Sequence, residues 1–285
     1  MISHFYIILI ITLLIPNDDL YLYKKPLNQS MGRDKDPTLL TDISKFKLWN
    51  RKVLWTTLSA PGMRFMAKLI FPKSTISYLD IDEMVVAFTV DDGFCGADNP
   101  GGDMTKEVRE LFKKYDAQAT FFVTGNHCMH TDKENIEKLL QDGHELANHG
   151  MYDRSYNNYS EQEFIDDFER TEIILKQYTD RIPKWYRAPR AKLSKTMQRV
   201  LDDRGYTHVM CDGFANDTKI PDSQWISKYI LKRIKAGSII LIHMPEKGVR
   251  EWNYQAMELT LKGLKEKGYQ IVTFSKLYEL AQSKR

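Results

Sequence analysis

The sequence predicts an α/β fold in which parallel strands form a barrel or an open sheet. From residue 84 onward, short strand-like segments alternate with segments of helical periodicity, and the connections between them are short. About seven such units fit within ~200 residues, which suits a complete or incomplete (β/α) barrel. Polar residues that could carry chemistry follow several strands, and the carboxyl ends of the strands meet on one rim of such a barrel.

The predicted strands are short, apolar and rich in β-branched or aromatic residues. The first covers residues 84–90 and is followed by the turn residue Gly93. Because side chains alternate across a strand, Ala87, Thr89 and Asp91 should share one face. The remaining predicted strands are 119–123, 144–148, 185–186, 206–210, 238–243 and 270–274.

The predicted helices carry an apolar stripe or a terminal signal. Within 105–115, Val108, Leu111 and Phe112 fall on one helical face. Ser160 and Glu163 form the capping box that opens a helix reaching about residue 178. Further helices are predicted at 133–141, 194–204, 223–235 and 254–267, with a short one from residue 276.

The first 83 residues differ from the rest in charge and hydropathy. The 285-residue chain has a formal net charge of +3, and residues 1–83 account for it with 11 Lys and Arg against 8 Asp and Glu. Residues 1–15 are apolar but shorter than the about 20 residues of a membrane span. They predict a signal peptide or a short anchor, with a buried strand as the alternative. We therefore expect a secreted or membrane-anchored protein.

Residues 16–83 form a basic, aromatic N-terminal segment. Its part from 43 to 73 contains seven basic residues, no acidic residue and several aromatic residues. Such a segment could contact a membrane surface or an anionic polymer. The favoured alternative is a helical appendage that packs on the main domain with its charges in water. No basic patch coincides with a nucleic-acid-binding motif, so no nucleic acid partner is predicted.

Two adjacent carboxylates, Asp91 and Asp92, follow the first strand. Neighbouring carboxylates repel each other unless a cation or a shared proton separates them. A metal-assisted hydrolase uses such a pair, because one carboxylate binds the metal while the other accepts a proton from water. The alternative is a simple turn, since Asp-Asp-Gly also suits turns.

The third strand is followed by His149 and, four residues later, Asp153. This spacing allows both side chains to ligate one ion, and Asp92 would complete a set of one histidine and two carboxylates. The alternative for Asp153 is a capping residue or a solvated acid of the loop.

Two basic residues follow later strands. Arg187 could hold a carboxylate through two hydrogen bonds, or it could be an ordinary surface arginine. His243 ends an apolar strand and shares a face with Leu241, so it either meets a partner on the rim or is a satisfied core histidine. Asp217 follows the preceding strand and could pair with His243, which would raise the pKa of the imidazole and keep it an acid.

These segments resemble the motifs of the polysaccharide deacetylase family, also called the NodB-homology or carbohydrate esterase family 4 domain. The sequence TVDDG at 89–93 is similar to the family's T-F-D-D-G, and GHELANH at 143–149 to its G-H-E-I-x-N-H. The segment 119–125 resembles the second strand, RAP at 187–189 matches R-x-P, and LIH at 241–243 matches L-x-H. The order holds from 84 to about 278, so 84–285 is identified as the deacetylase-like domain.

The resemblance implies a distorted (β/α)7-8 barrel with an N-terminal appendage, and it implies a role for each matching residue. Asp91 takes the position of the general base, oriented by Arg187, while His243 takes that of the general acid. Metal positions fall on Asp92, His149 and Asp153, where Asp153 replaces the usual second histidine. Substrate positions fall on Leu241, in the acetyl pocket, and on Arg190, where the family has an aromatic residue. The usual Asp-Trp pair is Asp217-Thr218 here.

The function implied is a metal-dependent hydrolase that removes N-acetyl groups from an amino-sugar polysaccharide, chitin or a peptidoglycan-like polymer. The resemblance implies one divalent metal ion, zinc, although Asp153 would shift the preference toward iron or manganese. The departures leave two alternatives open. One is a catalytically degenerate relative that binds glycans, and the other is a deacetylase of O-acetyl esters or small C–N compounds.

Overall fold

The computed structural model describes residues 43–283, except for 61, 97, 98 and 100. The predicted signal peptide or anchor at 1–15 lies outside the described residues, as does the basic segment up to residue 42. Among the residues that are described, no helix is both long and apolar enough to cross a bilayer.

The described residues form a 7-stranded parallel sheet surrounded by helices. The strands are β1 Val85–Gly93, β2 Ala119–Val123, β3 Glu145–Asn148, β4 Trp185–Tyr186, β5 Thr207–His208, β6 Ile239–His243 and β7 Gln270–Val272. The helices are α1 Lys45–Leu58, α2 Met63–Ile70, α3 Thr105–Lys114, α4 Gly125–His130, α5 Lys133–Gln141, α6 Glu161–Leu175, α7 Lys195–Asp203, α8 Ser223–Arg233, α9 Trp252–Glu266 and α10 Phe274–Gln282, with a 3-10 turn at Pro189–Ala191.

Strand β1 is the centre of the sheet. The order is β5-β4-β3-β2-β1-β6, and β7 also pairs with β1. In register, Asp91 lies opposite Phe122 of β2 and opposite His243 of β6. The first strand therefore presents its carboxylates between two neighbours that end at the same rim.

The two faces of β1 bury different sets of residues. Val86, Phe88 and Val90 pack into the large cluster shared with the surrounding helices. Ala87 packs into a smaller cluster with Phe122 and Leu241, which belong to the neighbouring strands. The alternation predicted from the sequence is confirmed. Because both faces of β1 are covered, all nine of its positions are buried.

The sheet curls into a distorted barrel, as predicted. The chain that follows β5 approaches β6, where the backbone N–H groups of Asp212 and Gly213 donate to the carbonyl of Ile239. The N–H of Leu241 donates back to the carbonyl of Gly213 at 3.0 Å. These bonds join the two sides of the curled sheet with little regular strand pairing. Strands β4 and β5, on that side, are only two residues long.

Most predicted elements are present, with shifts of a few residues at their ends. The largest difference concerns β1, which continues through Asp91, Asp92 and Gly93 instead of turning before them. The pairing with β2 shifts register between Asp91 and Gly93, as in a β-bulge. A Cβ at Gly93 would lie 3.0 Å from Val123 Cγ1, so a larger residue at this position would press against the side chain of Val123 on β2. The sequence pattern gave no sign of α4.

Helices α1 and α2 lie against the barrel wall. Trp55 is buried and meets Phe214 edge to face, with 5.4 Å between ring centroids. Arg64 Nε donates to Asp212 Oδ2 at 2.7 Å, and Lys52 forms an ion pair with Asp222. The basic residues of this segment therefore include partners of barrel carboxylates as well as solvated side chains.

We expect the burial of Trp55 to be a substantial part of the stability of the fold. The Trp55→Ala variant should lose about 3–5 kcal/mol of unfolding free energy, because it leaves a large cavity. The matched variant Trp49→Ala removes a side chain that is 58% exposed on the same helix, and it should change stability by no more than about 0.5 kcal/mol. Urea denaturation followed by circular dichroism measures both. Equal losses in the two variants would show that α1 is not anchored through Trp55.

Candidate active site

The carboxyl ends of β1, β3 and β4 bring four of the predicted residues into one buried cluster. Asp91 and Asp92 are 4% and 3% exposed, and His149 and Arg187 are 2% and 1% exposed. Charged groups at this depth require partners, since an unpaired buried charge costs several kcal/mol. The partners define what each residue can do.

Arg187 holds Asp91 in a fixed position. Its Nη1 donates to Asp91 Oδ1 at 2.5 Å and to Thr89 Oγ1 at 2.8 Å. Its Nε and Nη2 donate to the backbone carbonyls of Val209 and Met210, and the guanidinium lies 4.0 Å from the ring centroid of Phe122. The alternative of a surface arginine is therefore excluded. Asp91 keeps its second oxygen, Oδ2, for other contacts.

Asp92 and His149 face each other beside this pair. Asp92 has a left-handed backbone, with φ of 55°, which follows from its place in the bulge of β1. Its Oδ1 lies 3.5 Å from His149 Nε2, and Asp91 Oδ2 lies 3.9 Å from the same nitrogen. The other ring nitrogen, Nδ1, is 2.8 Å from the carbonyl oxygen of Arg187. Because a carbonyl only accepts, Nδ1 carries a proton, and Nε2 is the atom that faces the carboxylates.

The charged residues of this cluster shift one another's pKa values. Burial lowers the pKa of His149, but Asp91 and Asp92 outweigh it, so the pKa lies above its usual value. Burial raises the pKa of Asp92, and Arg250 followed by the two histidines reverses this, which leaves it well below its usual value. Asp92 is therefore anionic at neutral pH and attracts positive charge to this point.

The donor set at Asp92 and His149 suits a divalent cation. Within the described part of the chain, Asp92 Oδ1 is buried and accepts no hydrogen bond. A carboxylate oxygen and an imidazole nitrogen whose partner nitrogen is tied to a carbonyl are common zinc ligands. The described residues do not, however, bring three or more His, Cys, Asp or Glu side chains together at distances that would hold a metal.

Asp153 lies at the edge of this cluster. Its side chain is 40% exposed, and its Oδ2 is 3.5 Å from Arg190 Nη2. Desolvation, followed by the charge of Asp92, raises the pKa of Asp153. The carboxylate of Asp153 is therefore close enough to Asp92 for the two charges to interact. The structure thus joins two of the residues that depart from the family pattern, Asp153 and Arg190, in one ion pair. The ligand role of Asp153 and the substrate role of Arg190 stay predictions.

His243 and Asp217 form a second pair on the rim. His243 Nδ1 lies 2.9 Å from Asp217 Oδ1, and the backbone N–H of His243 donates to Oδ2 at 2.8 Å. Asn253 Nδ2 also donates to Asp217 Oδ2, at 2.7 Å. Burial lowers the pKa of His243, but Asp217, assisted by Asp92 and Asp91, raises it to about 9. The imidazole is therefore protonated at neutral pH, as an acid requires.

Leu241 and Thr89 lie opposite each other in register between β6 and β1. Leu241 is 4% exposed and belongs to the inner cluster of the barrel. It therefore occupies the inner face directly below His243. Its contact with an acetyl group stays a prediction.

Sequence reasoning missed Arg250, which lies in the loop after β6. Its Nη1 donates to Asp92 Oδ2 at 2.8 Å, across 158 residues of sequence. It also missed Asn253 of α9, which orients Asp217. Neither residue belongs to a strand end or to a periodic pattern, so the sequence carried no signal that would place them at the rim.

Comparison with known proteins shows which family this chain resembles. Residues 80–209 match the sequence profile of the family described as polysaccharide deacetylase. The chain is 27% identical to a peptidoglycan-N-acetylglucosamine deacetylase of Bacillus cereus, over 69% of this chain and 89% of that protein. It is 25% identical to the peptidoglycan-N-acetylglucosamine deacetylase PgdA of Listeria monocytogenes, over 68% of this chain but only 38% of that protein.

A solved structure shows the same fold. A CE4 family pseudoenzyme from Bacillus anthracis superposes with a TM-score of 0.61 at 21% identity, covering 73% of this chain and 69% of that one. The family profile, the curated relatives and the curled parallel sheet agree with the motifs at Asp91, His149, Arg187 and His243. The chain is therefore similar to the polysaccharide deacetylase family, whose profile matches residues 80–209.

Proposed function

We propose that this chain hydrolyses the N-acetyl groups of an amino-sugar polymer and that peptidoglycan is the polymer. The observation that carries the proposal is the register of β1 and β6, which sets Asp91 directly opposite His243. Asp91 is paired with the guanidinium of Arg187, and Asp217 keeps His243 protonated. The peptidoglycan relatives support the choice of substrate, which the geometry alone does not define.

Each proton has an assigned carrier in this scheme. Asp91 accepts a proton from the water that attacks the acetyl carbon, and His243 donates a proton to the amide nitrogen as the C–N bond breaks. Acetate and a free amine on the sugar are the products. The buried contacts of Arg187 prevent Asp91 from turning away, so the base is oriented before the substrate binds.

Asp92 and His149 would hold the divalent ion that the family resemblance implies. A bound zinc ion would polarise the acetyl carbonyl and lower the pKa of a coordinated water. The pKa of His149 is raised in the metal-free protein, so an ion would displace a proton from Nε2. We therefore propose that metal affinity weakens as the pH falls.

The second candidate is a catalytically degenerate relative that binds glycans. The Asp153–Arg190 and Asp92–Arg250 pairs favour it, because each places an arginine on a carboxylate that a metal would need. Turnover separates the two candidates. A deacetylase of O-acetyl esters or small C–N compounds would be identified by substrate screening.

Removing the base tests the proposed function directly. The Asp91→Asn variant should release acetate from N-acetylglucosamine oligomers or peptidoglycan about 10²- to 10⁴-fold more slowly than the wild type, because the amide cannot accept the proton of water. Asp203→Asn, at an exposed position of α7, is the matched control and should keep the wild-type rate. Equal rates for Asp91→Asn and the control would refute the assignment of Asp91.

The protonation of His243 should be visible in the pH profile. Its pKa of about 9 predicts that kcat/KM falls as the pH rises through about 9, where the acid loses its proton. The Asp217→Asn variant removes the charge that raises this pKa, so the alkaline limb should move down by at least about one pH unit. The same pair should stabilise the fold fully below pH 6.5, and this contribution should be lost as the pH rises through about 9. An alkaline limb that does not move in Asp217→Asn would contradict the pairing.

We also propose that the protein works at an anionic membrane surface, outside the membrane where cell-wall polymers lie. Helix α1 exposes Phe46, Trp49 and Val53, which are 70%, 58% and 43% exposed and recur at helical spacing. Helix α2 adds Phe65 and Leu69, at 56% and 53%. Large apolar residues among basic ones and without acidic neighbours suit the interface of a bilayer that carries negative lipids.

Vesicle binding measures this contact. The full chain should sediment with vesicles that contain phosphatidylglycerol more strongly than with neutral vesicles, and the Trp49→Ser/Phe46→Ser double variant should bind at least about threefold more weakly. Undiminished binding of the double variant would assign the contact to another part of the chain.

A further inference from the structure

Arg250 brings a second cation to the carboxylate that a metal would need. Its Nη1 lies 2.8 Å from Asp92 Oδ2, and its side chain is only 14% exposed. The residue belongs to the loop between β6 and α9, outside every motif that links this chain to its family. The ion pair therefore ties this loop to the end of β1.

The loop around Arg250 is built to present this side chain. The backbone of Arg250 has φ of 56°, a left-handed conformation that residues other than glycine and asparagine seldom adopt. Glu246 and Val249 exchange backbone hydrogen bonds of 2.9 and 2.8 Å, which closes the turn just before it. Asn99 Nδ2 donates to Glu246 Oε2 at 2.7 Å, so the turn is also tied to the loop after β1.

Asp92 is held with similar care on the other side. It also has a left-handed φ, of 55°, and its carbonyl oxygen lies 3.0 Å from the Nδ1 of His127, which donates to it. Of the two carboxylate oxygens of Asp92, Arg250 donates to Oδ2. The other oxygen, Oδ1, accepts no hydrogen bond from the described residues and faces His149 Nε2. One oxygen of the Asp92 carboxylate thus accepts a hydrogen bond from Arg250, and the other is available to bind a metal ion.

A divalent ion at Asp92 and His149 would lie close to this guanidinium. Two positive charges that share one buried carboxylate repel each other, and the low polarity of the site strengthens the repulsion. The arginine has a second acceptor nearby, because its Nη2 lies 4.0 Å from Glu246 Oε1. A small movement of the side chain would exchange Asp92 for Glu246 without leaving the arginine unpaired.

We propose that Arg250 is a tethered competitor of the metal ion, so that tight binding requires its guanidinium to leave Asp92. This inference rests on the proposed function for the identity of the site, but it concerns occupancy and not turnover. It gives this chain a weaker metal site than the ligands alone would provide. The metal-free state is correspondingly stable, because Asp92 never lacks a counter-charge.

The competition can be measured by titrating zinc into the full chain after metal removal. Isothermal titration should give a dissociation constant at least tenfold lower for Arg250→Gln and for Arg250→Met than for the wild type, because both variants remove the competing charge. Lys247→Gln is the matched control. Lys247 lies in the same loop, is 51% exposed and pairs with Glu107, so its loss changes the net charge equally but leaves Asp92 untouched. Its dissociation constant should stay within threefold of the wild type.

Several outcomes would overturn the proposal. Equal zinc affinity in the wild type and both Arg250 variants would show that the arginine does not compete. Absence of zinc binding in all of them would remove the metal site for which the arginine is proposed to compete. An equal gain in Lys247→Gln would reduce the effect to net charge. Arg250→Met retains the apolar part of the side chain and serves if the glutamine variant does not fold. Acetate release is assayed separately, so loss of turnover with a preserved affinity ratio would count against the proposed function alone.

Discussion

The ion pair between Arg187 and Asp91 is the interaction on which the rest of the site depends. Breaking a buried pair of this kind costs about 3–5 kcal/mol, because it leaves a charge without compensation. Arg187 bonds to β1 and to the chain after β5 and stacks on Phe122 of β2, so one side chain joins three parts of the barrel. It thereby fixes the position of Asp91, and its own carbonyl fixes the tautomer of His149. Arg187 therefore determines both the orientation of Asp91 and which ring nitrogen of His149 faces the carboxylates.

Positive and negative side chains are paired at the rim. Arg187, His149, Arg250 and His243 surround two buried carboxylates, while Asp217 stabilises His243 from behind. Asp92 therefore stays ionised despite burial, and the pKa values of His149 and His243 both lie above the usual value. A cation that enters must replace either a proton on His149 or the guanidinium of Arg250. Metal binding and protonation are consequently linked in this site.

The sequence predicted the parts of the site that lie at strand ends. Short apolar runs predicted β1 and β6, and the shared rim at their carboxyl ends brings Asp91 opposite His243. The pairing of Asp217 with His243 followed from the same rule. The bulge at Asp92 was not predictable, because it arises from a register shift against β2 and not from residue type. Arg250 was missed for a similar reason, since a loop contact across 158 residues leaves no periodic trace.

In the proposed function, proton removal by Asp91 and proton delivery by His243 take place on either side of one cation at Asp92 and His149. The most direct measurement is acetate release from an N-acetylglucosamine polymer by metal-stripped wild type during a zinc titration. Activity should rise from a negligible level and saturate at one zinc ion per chain. Turnover that is unchanged by zinc removal, or absent at every zinc concentration, would contradict the proposed function.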